Sequence, residues 1–289
     1  MELYLINKNN QVLDLLNNKH RFIISGAEAL HGVETEISES DSPYTDGSEI
    51  DQVKALPRGI ELTLTLRGNI QQSIDFITSY VKSKQVVTLR EINNGRDITI
   101  KGVATIPPYS RMQRSCKLVL TIYCNKPYWE DLEEVISVID DVINLLCFPT
   151  EGQYFTPTGR PFGVIDKSLT KDLTNEGDVS VGAIFTIAAM GEVVNPQITC
   201  STGEQEGWYM RLNITLKDGD EVKISTVKGD KYITINGSNE YNGTPILNYL
   251  EFNGADWLQL EQGSNIFDIT TTSGSQNVYF NASYKRRYE

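Results

Sequence analysis

Histidine is nearly missing from this chain of 289 residues, which holds only His20 and His31. That scarcity removes most routes to a histidine-based triad, because a triad needs a base beside its nucleophile. His20 lies between Lys19 and Arg21, and His31 precedes Gly32; both read as loop or strand-end residues. There is no GxSxG elbow, no HExxH, no Cys/His cluster at zinc spacing, no P-loop and no GxGxxG. The four cysteines, Cys116, Cys124, Cys147 and Cys200, show no CxxC spacing and read as reduced, structural residues. Adjacent carboxylates such as Glu133/Glu134 and Asp140/Asp141 read as solvent-facing rather than as a glycosidase pair. The chain is therefore not expected to be an enzyme or to need a cofactor.

Positive charge is also scarce. Lys and Arg number 26 against 38 Asp and Glu, giving a net charge of −12. This argues against a duplex-wide phosphate-binding surface, and specific nucleic-acid binding is not expected. The one basic cluster, Lys285-Arg286-Arg287, reads as a solvated tail. No apolar run approaches the roughly 20 residues of a membrane span, and Val135 to Phe148 is broken by Asp140, Asp141 and Asn144. Membrane insertion is not expected. The opening MELYLINKNNQ has no basic region before an apolar core, so no signal peptide is expected.

What is present is alternation. Ile60, Leu62, Leu64 and Leu66 alternate with Glu61, Thr63 and Thr65, the period of a strand with one buried face. ELYLI, RFII, VVTLREI, DITIKGVATI and CKLVLTIYC read the same way, and Asn93-Asn94-Gly95 marks a hairpin turn. Residues 36–52 (EISESDSPYTDGSEIDQ) read as a polar, acidic loop. Asp41, Asp46, Glu49 and Asp51 offer calcium-type oxygens there, but their spacing misses the EF-hand pattern, and a solvated loop is favoured. One helix is expected over 70–83, with Asn69 as N-cap and Ile70, Ile74, Ile77 and Val81 on one face. A connector helix is expected near 131–146, from Leu132, Ile136, Ile139, Ile143 and Leu146 and an acidic first turn.

The expected organisation is mainly β: an N-terminal β-rich domain over 1–148 and a C-terminal domain over 149–289. The second half is nearly all short strands between Gly and Asp turns, the pattern of a jelly-roll type sandwich. Trp208 and Trp257 either fill the space between its sheets or, less favoured, present a sugar-stacking surface.

Three passages carry a resemblance. They are RGIELTLTLRG (58–68) with the helix after it, KLVLTIYCNKPYWED (117–131), and LTNEGDVSVGAIFTIAAMGEVVNPQI (173–198). The last resembles an N-x-G-D…G-x-I…N-P-x-I passage. In order and spacing they resemble the distal tail proteins (Dit) of long-tailed bacteriophages and prophages of Gram-positive bacteria. The resemblance implies a galectin-like C-terminal sandwich and an N-terminal domain that assembles into a ring, usually a hexamer, at the virion tail tip. It implies a structural hub whose partners are the tail tube, the tail-associated lysin or tip protein, and baseplate or receptor-binding components. The galectin-type HxNxR signature is absent, so sugar binding to the host wall remains the alternative role.

Overall fold

A computed structural model describes the chain except residues 18–20, 42–46, 83, 107–116, 138–140, 145–162, 167–168 and 238–245. It divides into two compact units, Met1–Leu132 with Arg287–Glu289, and Glu133–Arg286. The cut expected after residue 148 therefore falls inside the second unit, and the chain returns to the first unit at its far end.

The first unit contains β1 (Glu2–Ile6), β2 (Val12–Asp14), β3 (Phe22–Glu28), β4 (Thr35–Asp41), β5 (Ser48–Ala55) and β6 (Arg58–Leu66). The helix α1 (Ile70–Tyr80) follows, then β7 (Val86–Asn93), β8 (Arg96–Thr105), β9 (Lys117–Cys124) and β10 (Trp129–Asp131). The main sheet runs β2-β1-β7-β8-β9-β6-β3, with antiparallel neighbours throughout. Its register follows from the alternation. Leu62 and Leu64 of β6 face Leu120 and Leu118 of β9, and all four are buried in one core with Leu3, Leu5, Leu89 and Ile100. Asn94 and Gly95 make the β7–β8 turn with φ of 50° and 81°, the left-handed geometry that a two-residue hairpin demands.

Asn69 caps α1 as expected, its side chain accepting the Gln72 N–H at 3.3 Å. The helix buries Ser73, Ile74 and Ile77 and stops at Tyr80, short of the expected 83. Val81 turns extended (φ −111°, ψ 110°) and stays buried, because its β-branched side chain joins the core from the chain's exit path.

The second unit contains β11 (Val135–Ser137), β12 (Asp141–Asn144), β13 (Gly163–Asp166), β14 (Thr170–Asn175), β15 (Ala183–Ala189), β16 (Val193–Val194) and β17 (Gln197–Cys200). It continues with β18 (Tyr209–Leu212), β19 (Thr215–Leu216), β20 (Glu221–Ser225), β21 (Tyr232–Asn236), β22 (Leu250–Phe252), β23 (Gly263–Thr270) and β24 (Val278–Tyr284). The last strand, β25 (Arg287–Tyr288), belongs to the first unit. Two five-stranded sheets, β11-β24-β15-β20-β21 and β14-β23-β17-β18-β22, feed one core. Phe185, Val222, Ile224 and Phe280 come from the first sheet; Ile198, Met210, Leu212 and Phe267 come from the second. The Phe185 ring meets Phe267 edge-on at 5.2 Å and stacks on Phe280 at 5.9 Å. The protein is mainly β, with a sandwich as its second unit.

The helix expected near 131–146 is not formed over its described residues. β10 ends at Asp131, β11 pairs with β24, and β12 pairs with β13. The helical spacing of apolar residues there was real, but Val135, Ile136, Val142 and Ile143 are β-branched and lose rotamer freedom in a helix, while open strand edges were on offer. Residues 138–140, 145 and 146 lie outside the described residues.

The motif passage acquires a physical reading. Asn175 is fully buried and its side chain closes the turn after β14: Oδ1 accepts the Gly177 N–H at 3.0 Å, and Nδ2 donates to the Val179 and Leu260 carbonyls at 3.0 and 3.3 Å. Gly182 serves a close backbone approach. A Cβ there would lie 2.4 Å from the Thr226 carbonyl oxygen, while the Thr226 hydroxyl bridges both backbone groups of Ala183. Gly182→Ala is expected to destabilise the second unit by about 1–3 kcal/mol, the usual cost of overpacking. Chemical denaturation with hydrogen exchange resolved by unit would show the loss confined to β15, β20 and β24.

Candidate interaction surfaces

The acidic stretch over 36–52 is a hairpin rather than a loop, β4 against β5, and it belongs to no larger sheet. Its register carries one irregularity. Ser38 pairs with Gln52, but Glu39 pairs with Ile50, so Asp51 is an extra residue, a β-bulge. Side chains alternate faces along a strand, and one inserted residue reverses the alternation beyond it. Ile37 and Val53 are cross-strand partners on one face, and the bulge brings Ile50, beside Glu39, onto that same face. Ile37, Ile50 and Val53 are 52, 63 and 57% exposed. The opposite face carries Glu36, Lys54, Ser38, Gln52 and Glu49. The face of Ile37, Ile50 and Val53 also carries Glu39, Asp41 and Ser48, so the exposed aliphatics form a small patch with acidic neighbours, outside any core, of the kind an interaction surface uses.

Its root is fixed firmly. The Leu30 carbonyl accepts the Trp129 indole N–H at 2.9 Å and an Arg58 N–H at 3.0 Å. His31 stacks on Trp129 with ring centroids 6.1 Å apart and places Nε2 3.2 Å from a carboxylate oxygen of Glu91. The Leu56 N–H bonds the Glu34 carbonyl at 2.8 Å, closing the hairpin's base. The Glu91 side chain is 2% exposed and occupies a core-facing position of β7. His31 thus sits between Trp129 and Glu91 at the root of the hairpin. A carboxylate in an alternating apolar run was the visible signal for this anchor. Sequence reasoning missed it because the partner lies sixty residues away.

Arg58 is buried here, and desolvation lowers its pKa. Its strand partner Cys124 is buried as well, and burial pushes the thiol up to about 11. Cys200 is raised for the same reason, offset in part by its bonds to Thr202. Both cysteines are free and buried, in line with a structural role; Cys116 and Cys147 lie outside the described residues, as does His20.

The tryptophans considered for sugar contact sit in the second unit, each half-buried against its core. Gly254 lies against the Trp208 ring so closely that a Cβ there would be 2.3 Å from Cε3. Trp257 is covered by the Lys231 ammonium, 5.6 Å from the ring centroid and itself paired with Asp256. These surroundings fit the packing role better than an open stacking face.

Of the calcium-type oxygens, Asp51 accepts a hydrogen bond from Ser40, and Asp46 lies outside the described residues. Among the described residues no three His, Cys, Asp or Glu side chains group to hold a metal ion, and no helix is long and apolar enough to cross a membrane. The basic cluster is no free tail. Arg286 pairs with Glu176, and Arg287 pairs with Glu130 at 2.8 Å.

Comparison with known proteins adds to this geometry. Residues 176–288 match the family described as siphovirus-type tail component, C-terminal domain. The chain resembles a phage distal tail protein. The crystal structure of the SPP1 Dit protein, described as a paradigm of the hub adsorption apparatus in phages infecting Gram-positive bacteria, matches with a TM-score of 0.62. That match covers 99% of each chain at 12% identity, which establishes a shared fold across both units. The phage P2 baseplate in its calcium-activated conformation matches with a TM-score of 0.47 at 12% identity, over 100% of this chain and 98% of that one. No curated protein matches the chain.

Burial of the Cys124 thiol makes the stability of the folded chain depend on pH. An unfolded thiol ionises near 9, and the folded one near 11. Above pH 9 the unfolded state therefore binds fewer protons than the folded state, and stability falls as pH rises toward 11. Wild type is expected to lose on the order of 2 kcal/mol relative to Cys124→Ala between pH 9 and 11, measured by denaturant unfolding of both proteins at each pH.

Proposed function

We propose that the protein is a structural component of a siphovirus-type phage tail, a ring hub, six copies around, joining the tail tube to the tip or baseplate and its receptor-binding components. The family match over the second unit and the shared fold over both support this reading, and a virion tail location goes with it. The observation that carries the self-assembly is the β4–β5 hairpin. A closed ring needs a heterologous contact, one patch of each copy meeting a different patch of the next. A two-stranded hairpin alone is marginal in water, and here its aliphatic face is uncovered within the chain's described residues. A neighbouring copy supplies the missing cover. The role is one of holding parts together, without catalysis, and the net charge of −12 suits a conduit that does not grip passing DNA.

Ile50→Asp with Val53→Asp is expected to abolish the ring and leave monomers with unchanged thermal unfolding. Deletion of Asp51, which removes the bulge yet leaves Ile50 opposite Glu39 on the face of Ile37 and Val53, is expected to leave assembly intact. Light scattering after size exclusion, with negative-stain images of the same peak, reads both. Rings formed by the doubly substituted protein as readily as by wild type would remove the hairpin from the interface. A wild-type protein that stays monomeric at high concentration, even with the tail tube present, would overturn the hub reading.

A further inference from the structure

We infer that β25 is a clip that completes the first unit, and the root of its hairpin arm, only after the whole second unit has been synthesised. β10 is three residues long and is in register with β8 at two positions, Glu130 with Thr99 and Asp131 with Ile98, with the Leu132 N–H bonding the Asp97 carbonyl beyond them. Its other edge is taken by β25, with Trp129 opposite Tyr288 and Glu130 opposite Arg287. The attachment is specific. Arg287 donates from Nε and Nη2 to one Glu130 oxygen at 3.0 and 2.8 Å. Tyr288 is 4% exposed, donates its hydroxyl to Asp131 at 3.2 Å, and lies under the Arg96 guanidinium at 4.8 Å.

Without β25, the short β10 becomes an edge strand that must still hold a fully buried Trp129. Trp129 in turn bonds the Leu30 carbonyl and supports the His31 ring at the hairpin's root. The sequence of dependence runs from Arg287 and Tyr288 through β10 and Trp129 to residues 29–34. In chain order Glu133–Arg286 separate the clip from the strand it closes. A chain still being translated, or cut within the second unit, carries the arm but lacks the clip. The arm therefore becomes competent for assembly only once the chain extends through Tyr288, past the second unit. This regulatory consequence rests on the ring reading above; the clip itself does not.

The test compares full-length protein with a chain ending at Arg286, with Glu130→Arg, with Arg287→Glu, and with the two reversals combined. Hydrogen exchange is followed by mass spectrometry on peptides covering 29–34, 96–105, 129–131 and 183–189. Loss of the clip is expected to speed exchange in the first three at least about tenfold and leave 183–189 unchanged, as for a local opening. The combined reversal is expected to recover most of what either single one loses. Should the shortened chain fail to fold in both units, the point variants decide. Unchanged exchange at 29–34 and 129–131 in the single reversals, or no recovery in the combination, would overturn the clip. Scattering on the same samples separates the two ideas. Rings from a clip-deficient protein would sink the gating and leave the hub reading intact. Monomers in every sample even with the tail tube present, with the exchange pattern as expected, would sink the hub reading and leave the clip.

Discussion

One hydrogen bond, from the Trp129 indole to the Leu30 carbonyl, ties together the parts of the first unit that local sequence cannot join. Trp129 is the bulkiest fully buried side chain, and its polar edge would be costly to bury without a partner. The partner it finds is a backbone carbonyl at the foot of the hairpin, shared with the buried Arg58. The same indole has a histidine on one side, which reaches a carboxylate set among leucines and isoleucines. A buried carboxylate and a buried guanidinium are expensive in isolation. Here both lie at the root of the exposed hairpin, Glu91 against His31 and Arg58 against the Leu30 carbonyl.

The second unit solves a different problem with similar means. A sandwich of ten strands is driven together by its apolar inner faces, but its edges must be closed by specific polar bonds. Asn175 closes the turn after β14, Thr226 bridges Ala183, and Asn265 donates to the Leu173, Glu261 and Gly263 carbonyls. These residues lie among the motifs that carried the family resemblance or pack beside them.

Much of this was legible beforehand. The alternation in β6, β7, β8 and β9, the Asn94 and Gly95 turn and the Asn69 cap each depend on residues close in sequence, and each appears where the pattern places it. The segment after Asp131 went the other way. Its apolar spacing suits a helix, yet Val135–Ser137 pairs with β24, an edge contributed from the far end of the chain. The hairpin was misread for a related reason. Thr35–Asp41 and Ser48–Ala55 are too polar to announce a core strand, and only pairing shows that Asp51 is surplus and that Ile50 shares a face with Val53. Trp208 could not be placed from its own neighbourhood, since what closes over its ring is Gly254.

By itself the sequence determined the class of fold, the two cores, the helix and the turns, because period, capping and left-handed backbone geometry are short-range properties. Tertiary structure decided where the chain divides, which face of the arm is apolar, that His31 answers Glu91, and that Arg287 and Tyr288 return to finish the first unit. Those outcomes depend on which strand edges remain open once the cores have formed. Strand pairing is bought from partners at any sequence distance, and no local pattern records the choice.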